Sequence, residues 1–236
     1  MRTCCQATQI RLNHDQAATL ILMTREKSIL CFGDSNTWGY IPLTGERLPR
    51  TQRWTGVMQH LLGHSCHVIE EGLNGRSTAF DEPFRDGRNA RRSLLAVLET
   101  HRPVDLLIIM LGTNDLKHHL NVSAYESARG LAALLQIVLK SETGSDQEPP
   151  KILVVAPPRF GAMSDLMAQH FEGAADRSGQ LPVHYAAVCR EVGCSFLDSN
   201  QVVSVGGDGI HLCEEGHHSL AVALSPVVKD LIGEHH

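Results

Sequence analysis

A serine near the start of the chain and an acid–histidine pair near its end have the side chains that acyl transfer requires. Ser35 follows a short apolar run, and Asp208 stands three residues before His211 in a late polar loop. We interpret Ser35 as a nucleophile and His211 as the base that takes its proton and returns it to the leaving alcohol. Asp208 would accept a hydrogen bond from the other imidazole nitrogen and stabilise the imidazolium.

Acyl transfer also needs hydrogen-bond donors for the developing oxyanion. We assign this role to the backbone N–H groups of Ser35 and Gly75 and to the side-chain amide of Asn114. Each such donor lowers the barrier by roughly 3 kcal/mol. Ser35 alone would more often be a turn or helix-cap serine, and we interpret its neighbour Asp34 as a helix cap.

Apolar runs before these polar residues predict the elements that position them. The runs indicate five strands, the first beginning at Ile29 and the others at about 66–69, 104–111, 152–156 and 194–197. Helical spacing follows each strand, over about 54–62, 94–101, 128–138 and 163–193, with a break near 173–179 in the last of these. A final helix contains Pro226, which we expect to kink or divide it.

Strands that alternate with helices indicate an α/β protein with a doubly wound, mostly parallel sheet of five strands. The polar turns at 33–36, 72–76 and 112–115 each follow a strand, so parallel pairing places them at one edge. The loop at 208–211 follows the fifth strand at a greater distance. Ligands bind at this edge in open α/β sheets, and we therefore expect the site there.

Composition excludes several classes of function. Asp and Glu outnumber Lys and Arg by 26 to 21, which argues against nucleic acid or an anionic membrane as a partner. No apolar run approaches the length of a membrane span. The seven cysteines form an odd set without C-x-x-C spacing, which favours a reduced, cytoplasmic protein.

We expect residues 1–22 to be a poorly ordered N-terminal extension and residues 23–236 to form a single domain. The extension has no apolar block long enough for a signal peptide, and Met23 stands just before the first strand.

Three further patterns in the sequence do not indicate a functional site. His118–His119 and His217–His218 are adjacent pairs that cannot easily share one ion, so we interpret them as solvated or structural and predict no metal site. Trp54 begins an apolar helical face, and we expect it to pack in the core. A dinucleotide- or phosphate-binding protein is disfavoured because the first turn lacks the glycine patterns of such sites, and an α/β-hydrolase is disfavoured because G-x-S-x-G is absent at Ser35.

The polar turns also resemble a known family. In order and approximate spacing, four stretches are similar to the four blocks of the SGNH (GDSL-type) hydrolases: Gly33-Asp34-Ser35-Asn36, Gly72 to Gly75, Gly112-Thr113-Asn114-Asp115 and Asp208-Gly209-Ile210-His211. The resemblance extends over about 29–224. Further stretches, among them Arg53-Trp54-Thr55-Gly56-Val57, resemble the bacterial arylesterase and acyltransferase branch.

This resemblance implies a flavodoxin-like three-layer sandwich and a carboxylic ester hydrolase without a metal or organic cofactor. It implies a serine esterase that hydrolyses short acyl or aryl esters through an acyl-enzyme. Acyl transfer to alcohols or peroxide and a homo-oligomeric state are further expectations from this branch. Asn36 departs from the motif, which has leucine there, and we expect it to make the pocket more polar. Two alternatives stay open: a carbohydrate O-deacetylase, and a non-enzymatic ligand-binding module on the same fold.

Overall fold

The structure, a computed structural model, describes residues 25–233. The expected extension at residues 1–22 lies outside the described residues. The strands are β1 (Lys27–Gly33), β2 (Cys66–Gly72), β3 (Leu106–Met110), β4 (Lys151–Ala156) and β5 (Ser195–Asp198). The α-helices are α1 (Ser35–Trp38), α2 (Trp54–Leu62), α3 (Leu94–His101), α4 (Ala124–Leu139), α5 (Asp165–His170), α6 (Ala175–Val192) and α7 (Glu214–Ile232).

The five strands form one sheet in the order β2-β1-β3-β4-β5, and every pair is parallel. This confirms the doubly wound fold predicted from the sequence, in the flavodoxin-like strand order. Gly33 at the end of β1 pairs with Gly72 of β2 and Met110 of β3. Because chain order reverses at β1, the turns after β1 and β3 diverge and leave a crevice between them.

Helices cover both faces of the sheet. Alternate residues of β1 point to opposite faces: Ile29 and Cys31 pack with α2 and α7, whereas Leu30 and Phe32 pack with α3, α4 and α6. Trp54 is 1 % exposed in the first of these layers, as expected from its helical face. Within residues 25–233, no helix is long and apolar enough to cross a membrane.

Two details of the helices differ from the sequence prediction. The break in the segment at 163–193 lies at residues 171–174, between α5 and α6, and Gly179 is inside α6. The expectation that Pro226 divides the last helix is wrong, since α7 is continuous from Glu214 to Ile232. Leu224 and Val228 on either side of Pro226 are fully buried in the core, and this packing outweighs the hydrogen bond that the proline cannot make.

His217 joins α7 to α2. Its Nδ1 atom accepts a hydrogen bond from the backbone N–H of Trp54, the first residue of α2, at 3.2 Å. The N-cap residue of α2, Arg53, makes no side-chain hydrogen bond to the start of this helix, so His217 provides an acceptor there. The side chain is fully buried, and this burial, aided by the charges of His211 and Arg53, lowers the pKa of His217 to about 4. The neutral imidazole is therefore part of the folded state.

His217 makes folding stability depend on pH. The pKa of His217 is depressed in the folded state, so between pH 6.5 and 4 the unfolded chain binds the additional proton. The contribution of neutral His217 to the free energy of unfolding is complete above pH 6.5 and is lost as the pH falls towards 4. Between pH 7 and pH 5 we expect wild type to lose roughly 2 kcal/mol more unfolding free energy than His217→Asn, which keeps an acceptor but does not titrate. Urea unfolding at both pH values measures this, and equal losses would contradict it.

Candidate active site

Ser35 stands at the first position of α1, immediately after β1. The side chain of Asp34 caps this helix by accepting a hydrogen bond from the backbone N–H of Asn36 at 2.9 Å, as the sequence predicted. The turn lies close against the end of β2, where a Cβ added to Gly72 would come within 2.2 Å of the backbone nitrogen of Trp38. Only glycine fits there, and this close contact holds Ser35 at the carboxyl edge of the sheet.

The structure brings the three residues proposed for proton transfer into one chain of hydrogen bonds. Ser35 Oγ lies 2.9 Å from His211 Nε2, although the two residues are 176 positions apart. His211 Nδ1 lies 2.6 Å from Asp208 Oδ2. This geometry places the Nδ1 proton on the side of Asp208 and leaves Nε2 to accept the proton of the Ser35 hydroxyl.

Asp208 organises the whole loop around His211. Its second oxygen, Oδ1, accepts the backbone N–H groups of Ile210 and His211, each at 2.9 Å. Burial acts to raise the pKa of Asp208, but these hydrogen bonds and that from the His211 ring outweigh it and hold the pKa below its ordinary value. Asp208 is therefore an anion that orients the imidazole.

The three residues proposed as oxyanion donors line the same cavity. Gly75 has a left-handed φ of +83°, which a side chain would strain. The Nδ2 atom of Asn114 donates to the carbonyl oxygen of Arg76 at 3.2 Å and to Asp34 Oδ2 at 3.4 Å. These two distances lie at and just beyond the upper end of the usual N–H···O range, so the two bonds hold the amide only weakly.

Asp115 supports this side of the cavity from inside the core. Its carboxylate accepts the backbone N–H and hydroxyl of Thr78 at 2.8 and 2.7 Å and the hydroxyl of Ser127 at 2.6 Å. Burial raises the pKa of Asp115 to about 6 despite these bonds. The network connects the turn after β3 to the segment that follows Gly75. Asp115 belongs to a motif block, but no sequence signal identified Thr78 or Ser127 as its partners.

Arg76 is a second support that the sequence analysis missed. This nearly buried side chain donates through Nη1 to the carbonyl oxygens of Gly33, at 2.8 Å, and Glu71. Its guanidinium lies 4.0 Å from the ring centroid of Phe32. Burial lowers the pKa of Arg76 to about 10, so it stays charged at neutral pH. Arg76 thereby joins the ends of β1 and β2 beside Ser35.

The cavity has a volume of about 350 Å³. In its lining, the ring of Tyr40 lies 4.2 Å from that of His211 at an interplanar angle of 31°, a contact that the sequence analysis did not foresee. The apolar side chains that line the cavity are Phe84, Met167, Phe171 and Ile210. The charged or titratable side chains of the lining, here called the charged wall, are Glu82, Arg85, Lys117, His119 and His170. His119, interpreted from sequence as solvated or structural, therefore also belongs to the charged wall.

Comparison with known proteins identifies the family. The GDSL-like lipase/acylhydrolase family model matches residues 31–218, and the chain belongs to this family. The native aryl esterase of M. smegmatis is 39% identical with a TM-score of 0.84, over 87% of this chain and 99% of that one. A carbohydrate acetylesterase from Sinorhizobium meliloti is also 39% identical with a TM-score of 0.84, over the same shares of 87% and 99%.

A lipolytic G-D-S-L family member from Veillonella parvula, 16% identical over 85% of this chain and 97% of that one with a TM-score of 0.62, shares the fold. No curated protein matches the chain significantly. The family and its esterase neighbours make the chain a carboxylic ester hydrolase of the SGNH type, which confirms the sequence resemblance.

Removing the buried carboxylate of Asp115 should destabilise the fold. Asp115→Ala leaves the backbone N–H of Thr78 and two hydroxyl groups without their acceptor in the core. We expect the free energy of unfolding to fall by roughly 3 kcal/mol, measured by urea denaturation at pH 7. The control is Asp86→Ala at an exposed position, for which a change within about 0.5 kcal/mol is expected. Equal stabilities of the two variants would contradict this role.

Proposed function

We propose that this ester hydrolase acts on short acyl or aryl esters through an acyl-enzyme formed on Ser35. The observation that carries the proposal is the hydrogen-bond chain from Ser35 Oγ through His211 to Asp208, with distances of 2.9 and 2.6 Å. A nucleophile, its base and the group that orients the base are thus aligned in one chain of hydrogen bonds. This alignment argues against a non-enzymatic binding module.

In the first half-reaction, Ser35 Oγ attacks the ester carbonyl carbon while His211 Nε2 takes the hydroxyl proton. The negative charge that develops on the carbonyl oxygen is stabilised by the N–H groups of Ser35 and Gly75 and by the amide of Asn114. The C–O bond to the alcohol then breaks, and His211 returns the proton to the leaving oxygen.

In the second half-reaction, water attacks the acyl carbon of the Ser35 ester and gives its proton to His211. The C–O bond to Ser35 breaks, His211 protonates Ser35 Oγ, and the free acid leaves. An alcohol in place of water would give a new ester, which is the acyl transfer expected from the family branch. Asp208 remains an anion throughout and stabilises the imidazolium in both halves.

The size and the apolar lining of the cavity support the proposal that the substrates are small esters. Its volume of about 350 Å³ is at the low end of ordinary ligand pockets. Ile210, Met167 and Phe171 give it an apolar part that suits a short acyl chain or an aromatic ring. The likeness to the M. smegmatis aryl esterase supports the same substrate class. We keep a homo-oligomeric state and a cytoplasmic location as parts of this proposal.

A carbohydrate O-deacetylase is the second candidate, and the charged wall of the cavity favours it. Glu82, whose side chain is 2% exposed, binds Lys117 at 2.5 Å and His119 at 2.9 Å. These groups and Arg85 provide donors and acceptors of the kind that recognise sugar hydroxyls. The likeness to the carbohydrate acetylesterase of Sinorhizobium meliloti supports this candidate.

Replacement of the nucleophile tests the main proposal. Ser35→Ala should lower kcat for p-nitrophenyl acetate by about 10⁴-fold, and His211→Ala should cost about as much because the residues act as a unit. Ser65→Ala, at the opposite end of β2, is the matched control and should keep wild-type rates. If Ser35→Ala hydrolyses the ester at the wild-type rate, the proposal fails.

The two substrate classes are separated by replacing one charged wall residue. If sugar hydroxyls bind the wall, Lys117→Gln should raise KM for an acetylated monosaccharide by about tenfold and leave KM for phenyl acetate within twofold. Lys140→Gln, at an exposed position on the end of α4, should change neither value. Acetate release measured with both substrates decides between them. No release from acetylated sugars, with rapid cleavage of phenyl acetate, would eliminate the deacetylase.

A further inference from the structure

Asn36, the residue that departs from the family motif, connects the two halves of the site. Its side-chain oxygen Oδ1 accepts a hydrogen bond from the backbone N–H of Leu212 at 2.9 Å, across 176 positions of sequence. Asn36 directly follows Ser35, and Leu212 directly follows His211. The bond therefore runs beside the contact between Ser35 Oγ and His211 Nε2 and joins the same two segments.

The bond completes a set of three successive backbone N–H groups around His211. Asp208 accepts the first two, from Ile210 and His211, within the loop itself. Asn36 accepts the third, from Leu212, and so fixes the loop to the nucleophile turn rather than to itself. Leu212 is fully buried, so water cannot replace the acceptor without a movement of the loop.

Asn36 is unfavourable for stability in one respect. Its side chain is 1% exposed, and its Nδ2 atom is buried with no hydrogen-bond partner among the described residues. A buried unpaired amide group costs roughly 1–3 kcal/mol. The favourable contact of this side chain is thus the Leu212 bond, which a leucine cannot make because it has no acceptor.

We infer that Asn36 is a positioning residue that holds His211 in line with Ser35 by binding the backbone of Leu212. This inference rests on the proposed roles of Ser35 and His211. Without the bond, the loop of 208–212 has one fewer attachment to the nucleophile turn, and His211 Nε2 lies less often within reach of Ser35 Oγ. Both half-reactions slow together, because His211 transfers the proton in each.

Asn36→Leu introduces the residue of the family motif and is the first test. We expect kcat for p-nitrophenyl acetate to fall about tenfold, since a displacement of the base by about 1 Å can cost up to 10²-fold. Asn36 is buried and does not line the cavity, so the expectation that it makes the pocket more polar is wrong. KM should therefore stay within twofold. The second-order rate of inactivation by an organophosphonate should fall by the same factor as kcat.

Thermal stability separates positioning from support of the fold. Asn36→Leu removes one buried unpaired group and creates another, so its melting temperature should stay close to that of wild type. Asn200→Leu is the control: Asn200, in a short 3-10 helix after β5, also accepts a backbone N–H, from Arg159, but in a solvent-exposed hydrogen bond outside the cavity lining. It should lower the melting temperature and leave kcat unchanged.

Replacing the peptide N–H of Leu212 by an ester oxygen removes the donor without changing any side chain. This backbone ester should lower kcat as Asn36→Leu does, and it should have little further effect in the Asn36→Leu background. If Asn36→Leu does not fold, the ester in wild type decides the question alone.

The outcomes distinguish this inference from the proposed function. A fully active Ser35→Ala overturns the proposed function and the inference with it. If Ser35→Ala is inactive, three results overturn the inference only. The first is a fall in kcat of less than threefold for Asn36→Leu, and the second is a rise in KM alone. The third is that the effects of Asn36→Leu and of the backbone ester are additive.

Discussion

The parallel register at the end of β1 is the constraint on which the site depends. Gly33 pairs with Gly72 on one side and Met110 on the other, so three strands end at one level of the sheet. The chain order reverses at β1, and the turns that carry Ser35 and Asn114 diverge around a crevice. His211 comes to this crevice from the loop after β5, and β5 does not pair with β1 in the sheet. Its position therefore depends on hydrogen bonds between loops rather than on the sheet.

Buried polar groups hold the turns around this crevice at a cost in stability. Burial raises the pKa of Asp34, as of Asp115, to about 6, so both carboxylates are less easily ionised in the fold than in water. Arg76 and Asn36 each keep one buried nitrogen without a partner among the described residues. We interpret this concentration of unfavourable groups as the consequence of holding several turns at fixed distances around one reacting carbonyl.

The sequence was sufficient for the features that local patterns determine. Apolar runs located the strands and their polar ends located the turns. The spacing of Asp208 and His211 predicted a pair, and the structure places the two side chains within hydrogen-bond distance. The bond from Asn36 to Leu212 joins residues 176 positions apart and leaves no local pattern. The division of the last helix at Pro226 was wrongly predicted because tertiary packing overrides a local breaker. The contact of Tyr40 with His211 likewise depends on the folded loops.

Labelling by an organophosphonate, followed by peptide mass spectrometry, tests the central claim most directly. The account predicts one adduct, on the Ser35 oxygen, formed at a rate that falls sharply in His211→Ala because the hydroxyl then lacks its base. An adduct on another residue, or full ester hydrolysis by a protein whose Ser35 stays unlabelled, would contradict the account.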